Sequence, residues 1–192
     1  MNRTIVTITG ASGVGKSTLE ERLMTYFGGG RIIAHTSRNP RRGEAKTNYV
    51  FCPRWKLRFW MQVNTFWKTN YLWVKSAHGN LYAAHASQFY RALNQTGSVA
   101  FGCISDGYHK LVADRFEPEG IVCKGIHLLH PGDEELRRRL ENRKEDKETI
   151  ERRLASSRLA EELALKNPRL HLIEPGSPEQ VFKTVIEIIN AI

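Results

Sequence analysis

Ten residues constrain this 192-residue chain more than any others: "GASGVGKSTL" at positions 10–19, directly behind the apolar run "TIVTIT". That run is short, β-branched and closed by glycine, which predicts a buried strand. Leu19, Leu23 and Phe27, spaced by four, predict a helix over 16–27. Between strand and helix stands Gly-x-x-x-x-Gly-Lys-Ser. Gly10, Gly13 and Gly15 free the backbone so that its amides can approach phosphate oxygens. Lys16 supplies a point charge for β- and γ-phosphates, and the Ser17 hydroxyl is placed to ligate Mg²⁺. The helix aims its positive end at the same oxygens. Chance would produce the pattern in a chain of average composition about one time in a hundred, before the strand and helix are required as well. ATP or GTP is therefore expected on Gly10, Ala11, Ser12, Gly13, Val14, Gly15, Lys16, Ser17 and Thr18.

The rest of the chain alternates strand and helix signals. "RIIAHT" reads as a second apolar strand, "YLWVKS" and "NLYAA" as short strands, and "SVAFGCI" as another. "SQFYRALNQTG" reads as a helix ending at Gly97. Trp55, Phe59, Val63 and Trp67 recur every fourth residue, which predicts one apolar helix face packed in the core. "GIHLLH" leads into "PGDEELRRRLENR", whose Leu136 and Leu140 belong inside, and a further helix is expected over 149–166. In "SPEQVFKTVIEII", Ser177 is the N-cap, Pro178 the first helical residue and Gln180 the capping-box partner. Such alternation predicts an α/β fold, three layers with a parallel sheet covered on both faces.

Several classes are excluded. No apolar run approaches the ~20 residues of a membrane helix, and the N-terminus lacks the cleavage pattern of a signal peptide. Cys52, Cys103 and Cys123 are odd in number with no C-x-x-C spacing, and the seven histidines show no metal-ligand spacing. A reduced, cytoplasmic setting is the expectation. There is no N-K-x-D for a guanine-nucleotide switch, and the chain is too short for a motor or helicase. The net charge of +9 asks for anionic partners. Its clusters at 38–42 and 137–153 lie beside expected loops, which favours a pocket that collects phosphates over a nucleic-acid surface. Nothing in the sequence speaks to oligomeric state.

"TSRNPRRGEAKTNYVF" adds Thr36, Ser37, Arg38, Pro40, Arg41, Gly43, Glu44, Tyr49 and Phe51 in order. With the phosphate loop before it, the chain resembles the guanylate kinase family along nearly its whole length, through "GNLYAA" and "ELRRRLENRKEDKETIERRLA". The resemblance implies a P-loop kinase fold with three parts. These are a core of residues 1–36, 85–136 and 154–192, an acceptor-binding insertion over 37–84, and a helical lid over 137–153. It implies that Arg38, Arg41, Tyr49 and Tyr82 hold the acceptor's phosphate, where guanidinium groups offer paired donors. Lys16 and the lid's Arg139, Arg143 and Arg153 would stabilise the transferring phosphoryl group. Ser37, Glu44, Trp73 and Asp106 complete the expected acceptor site, with Ser17 as the protein's ligand to Mg²⁺. Arg137, Arg138 and Arg152 are expected to face solvent.

The chain departs from that family where a guanine base would be read. The base-reading Glu falls on Trp73, a small hydroxyl residue on Ala84, and the Leu-Asp-Ile-Asp strand end on Gly102, Cys103, Ile104 and Ser105, leaving Asp106 one position late. Trp73 is open to stacking on a base or sugar, or to filling the core. The expected activity is Mg²⁺-dependent transfer of the ATP γ-phosphoryl group to a nucleoside monophosphate, GMP or dGMP first. The alternatives are a phosphorylated ribose or non-guanine nucleotide as acceptor, and a non-catalytic binding module.

Overall fold

β1 (Thr4–Gly10) is buried on both faces, with Ile5, Val6, Thr7, Ile8 and Thr9 fully inaccessible. A strand this deep needs its polar side chains satisfied. Thr7 Oγ1 lies 2.8 Å from His109 Nδ1, and Thr9 donates to the Ile126 carbonyl while its hydroxyl lies 2.8 Å from His127 Nδ1. The computed structural model describes residues 3–40, 49–67, 70–77, 79–96, 98–105 and 107–191.

β1 is the centre of a five-stranded parallel sheet. β2 (Gly30–Arg31), β7 (Val99–Cys103), β1, β8 (Val122–Leu128) and β9 (Leu170–Ile173) lie in that spatial order. On one face α1 (Lys16–Phe27) and α7 (Pro178–Asn190) bury Leu19, Leu23, Val185 and Ile189 against Val6, Ile8, Phe101 and Ile126. On the other, α3 (Ala86–Thr96) and α4 (His109–Phe116) bury Phe89, Leu93, Val112 and Phe116 against Ile5 and Ala100. Each such side chain contributes roughly 1.5–3 kcal/mol by leaving water. The capping box at Ser177 and Gln180 is present in full. Because β1 has parallel neighbours on both sides, a crevice opens beyond its carboxyl end, where the glycine-rich loop begins.

A second, mixed sheet of four strands carries the other half of the cleft. β4 (Tyr49–Phe51), β3 (Ala34–Thr36), β6 (Asn80–His85) and β5 (Tyr71–Ala77) lie in that order, with β3 parallel to β4 and antiparallel to β6. "RIIAHT" is therefore not one strand. The chain leaves the large sheet after Arg31 and enters the small one at Ala34.

α2 (Arg54–Trp67) is a helix as its periodicity predicts, but its buried anchor is Leu57, packed on Leu81 and Ala83. Trp55 is 71% exposed and Phe59 53% exposed, so the expected core face is turned to solvent at these positions. α5 (Asp133–Asn142) and α6 (Lys147–Leu165) complete the chain, and Leu136, Leu140, Ile150 and Leu154 pack with Ala11 and Val14 of the loop. Among the described residues no helix is long and apolar enough to cross a membrane.

Candidate active site

The loop between β1 and α1 takes positive φ at Gly10 (128°), Gly13 (102°) and Gly15 (107°), conformations that L side chains rarely adopt. Space is short as well. A Cβ on Gly10 would stand 2.6 Å from the Leu128 carbonyl oxygen, and one on Gly13 would stand 2.9 Å from Leu136 Cδ1. The loop is thus pinned between β8 and α5. Lys16 curls back over it, its Nζ donating to the Gly10 and Ala11 carbonyls at 2.7 Å each. Its first-turn amides open on the same space, a site for anions.

Two cavities flank this loop. One, about 170 Å³, is lined by Ser17, Glu20, Arg31, Arg38, Tyr49, Tyr82 and Cys103, among others. The other, about 230 Å³, is walled by Ser12, Trp73, Lys75, Ser105 and Arg153, and again by Tyr49, Tyr82 and Cys103. Shared walls make them two halves of one cleft.

The small sheet and the loop after β3 carry residues expected on the acceptor side. Tyr49 on β4 and Tyr82 on β6 approach to 6.2 Å between ring centroids, and the Arg38 guanidinium lies 5.4 Å from the Tyr49 ring. Thr36 Oγ1 accepts from the Arg38 amide, which fixes the start of that loop. Ser37 Oγ accepts from the Leu81 amide, so this hydroxyl ties the loop to β6, and Ser37 is not among the lining residues of either cavity. Arg41, Glu44 and Asp106 lie outside the described residues.

From the other side come α5 and α6. Arg153 reaches the Ser12 hydroxyl of the loop and pairs through Nε with Glu145 at 2.8 Å. Arg139 extends toward the Gly13 and Val14 carbonyls at 3.4 and 3.5 Å and pairs with Glu135 at 2.6 Å. The Arg138 and Arg139 guanidiniums hold the Glu135 carboxyl down at about 2. Arg143 ends α5 exposed and lines neither cavity, so in this structure it is not gathered with the other two. Arg137 pairs with Glu151, Arg138 with Glu135, and Arg152 donates to Thr149, all at the surface.

One residue of the cleft was not anticipated. Glu20, one turn beyond Lys16 on α1, is buried, accepts from the Cys103 amide at 3.1 Å and pairs with Arg31 at 3.1 Å. Burial raises its carboxyl above the ordinary range, against the opposing pull of Arg31. Its signal was the i, i+4 spacing from Lys16, which puts it on the loop-facing side of the helix. Burial likewise pushes the Cys103 thiol far up, so it stands in the cleft as an uncharged group.

At the base-reading positions, Trp73 is only 7% exposed and stacks on Tyr108, centroids 4.8 Å apart and planes 18° apart. It fills the core and walls the cavity at once. Ala84 is buried beside it, opposite Trp73 in the β5–β6 register. For a metal, the exposed Ser17 hydroxyl is a hard oxygen donor at the mouth of the loop, and Mg²⁺ takes its other positions from phosphates and water. The residues fit such an ion.

The family model for guanylate kinase matches residues 1–171. The guanylate kinase of Prochlorococcus marinus subsp. pastoris is 31% identical over 190 residues, 97% of each chain. That of Rubrobacter xylanophilus is 29% identical over 191 residues, 98% of this chain and 94% of its own. The crystal structure of guanylate kinase from Anaplasma phagocytophilum shares the fold at a TM-score of 0.65 and 18% identity, over 99% of this chain and 86% of that one. An intact phosphate loop, a facing set of guanidinium and phenol groups, and these likenesses along the whole length lead to one assignment: the chain belongs to the guanylate kinase family and is an ATP-dependent phosphotransferase.

Proposed function

We propose that this protein transfers the γ-phosphoryl group of Mg²⁺–ATP to the phosphate of a nucleoside monophosphate, with GMP and dGMP as acceptors. The observation that carries the reading is the cleft itself. Tyr49 and Tyr82 face it from the small sheet and Arg38 from the loop after β3, while Ser17 borders it from the phosphate loop and Arg153 from α6. Donor and acceptor phosphates entering from the two ends meet between these cations.

The acceptor phosphate is already ionised near neutral pH, so the transfer calls for no general base. Catalysis is then positioning plus charge stabilisation. Lys16 neutralises the donor's phosphates, and Arg139 and Arg153 stand ready over the equatorial oxygens of the group in flight. Ser17 would hold Mg²⁺, which would supply positive charge to offset that of the donor's phosphates.

A coupled ADP-release assay across GMP, dGMP, the other mononucleotides and ribose phosphates tests this. Turnover of GMP or dGMP, abolished by Lys16→Ala, is the expected result. Absence of turnover with every nucleotide would overturn it. The walls formed by Trp73 and Ala84, in place of the family's acid and hydroxyl, make ribose phosphates a necessary arm of that assay.

A further inference from the structure

Most of the chain's excess charge comes from one stretch. Between Glu44 and Asp106 the sequence holds seven Lys or Arg and no Asp or Glu, which is +7 of the net +9. α2 lies inside that stretch and carries Arg54, Lys56 and Arg58, all exposed. The strands on which it packs, β5 and β6, lie inside it too and bring no carboxylate to the helix. Arg54 donates to the Gly79 carbonyl, which fixes that cation beside the β5–β6 turn without neutralising it.

The outer ridge of the same helix is aromatic. Leu57 is the buried anchor, and at roughly 3.6 residues per turn the side opposite to it carries Trp55 and Phe59. Trp55 is the most exposed large apolar side chain among the described residues, and Phe59 is more than half exposed. Lys56 falls on one side of this ridge and Arg58 on the other. Among the described lining residues of the cleft none belongs to α2, so the ridge has no part in the phosphate chemistry above.

The shape of the patch decides between two anionic surfaces. A nucleic-acid strand is held in a charged groove with ring faces turned out for successive bases. Here the cations stand on the flanks of a ridge, and the Phe59 ring is engaged edge-on with Trp60, centroids 5.6 Å and planes 70° apart. A bilayer surface suits this arrangement. Exposed aromatic rings enter among the headgroups, where Trp is favoured, and cations beside them meet anionic lipid.

We propose that α2 is a docking surface for anionic bilayers, with Trp55 and Phe59 at headgroup depth and Lys56 and Arg58 paired with anionic headgroups. The protein lies on such a membrane and does not span it: α2 has 14 residues and stays anchored on β6 through Leu57.

The test is cosedimentation of the full chain with vesicles of phosphatidylcholine alone, or with about 30% phosphatidylserine, at about 0.1 M NaCl. Partition onto the anionic vesicles at least about tenfold above that onto neutral ones is expected. Trp55→Ser combined with Phe59→Ser should weaken it about tenfold or more, and Lys56→Gln combined with Arg58→Gln about 10- to 30-fold. Both proteins should still melt cooperatively. If the aromatic pair does not, Trp55→Ser alone carries the comparison. Leu159→Ser with Leu163→Ser, which removes the exposed apolar pair of α6, should leave binding within about twofold.

Equal binding to both vesicle types, or none, would overturn the proposal. So would an equal loss from the α6 pair. Binding lost with the charge variant but untouched by the aromatic one would also overturn it, since any basic protein adheres in that way. A single-stranded oligonucleotide bound through Trp55 and Phe59, with no vesicle binding, would reassign the ridge to nucleic acid. A concentration-dependent dimer dispersed by the aromatic variant, again with no vesicle binding, would reassign it to a second copy of the chain.

Discussion

Arg153 carries its charge across a buried ion pair, and its partner Glu145 was invisible to motif reasoning. The two side chains are 15% and 14% exposed, with Nε and Oε2 2.8 Å apart. Removing one member of such a pair leaves the other charged and poorly solvated. On the proposed function Glu145 is a positioning residue: it holds the guanidinium against Ser12 of the phosphate loop. Glu145→Gln is expected to lower kcat about 10- to 100-fold while both KM values stay within about twofold, because the contact it supports forms fully only in the transition state. Steady-state kinetics reads this directly, and an effect confined to KM would contradict it. What the sequence made legible at this scale were residues whose chemistry is local: Lys16 and Ser17 in a fixed loop, and Arg38 and Tyr49 in a fixed order. Glu145 was not legible because its pairing depends on how the turn before α6 folds back on Arg153, and the Glu20–Cys103 contact and the Trp73–Tyr108 stack were not because each partner comes from a distant element.

Among the elements, α2 shows how a correct period can still point the wrong way. Spacing by four marks a helix, but which stripe is buried depends on what lies beneath it, here the β6 residues Leu81 and Ala83 under Leu57. Trp55→Ser should change stability by less than about 0.5 kcal/mol, whereas Leu57→Ala should cost about 2–5 kcal/mol, both measured by urea unfolding. A costly Trp55→Ser would restore the core reading. α4 offers a second test. His109 opens that helix, buried against Thr7 and so close to β8 that a Cβ on Gly125 would stand 2.7 Å from its ring. Burial first, then Arg169 and His171, push its imidazole down to about 4. The folded protein therefore holds the ring neutral while the unfolded chain protonates it near 6.5. Stability from this site is present above pH 6.5 and is lost as pH falls toward 4, by about 3 kcal/mol. Comparison with His109→Gln isolates it: the difference in unfolding free energy between the two proteins should shrink across that window, and a flat difference would contradict the assignment.

For the molecule as a whole, alternation of strand and helix made the parallel sheet legible, while the division of "RIIAHT" between two sheets was not, since a two-residue break carries no periodicity. The same scale explains the net charge of +9. Many surface cations are matched by neighbouring carboxylates, as in Arg137–Glu151, Arg138–Glu135, Arg158–Asp133 and Lys166–Glu162. In the cleft, Lys75 and Arg153 line one half and Arg31 and Arg38 the other, with Arg153 paired to Glu145 and Arg31 to Glu20. On the proposed function, the net positive charge and the cations lining the cleft draw two phosphorylated substrates toward it, and low-dielectric walls focus the field there. Added salt shortens the range of that field, from about 10 Å at 0.1 M to about 3 Å at 1 M, but screens contacts inside the filled cleft far less. Raising NaCl from about 50 to 500 mM should therefore increase both KM values about three- to tenfold and leave kcat within about twofold. If kcat falls with salt while KM holds, the cations act on bound phosphates rather than on capture, and the field of the whole protein is spent elsewhere.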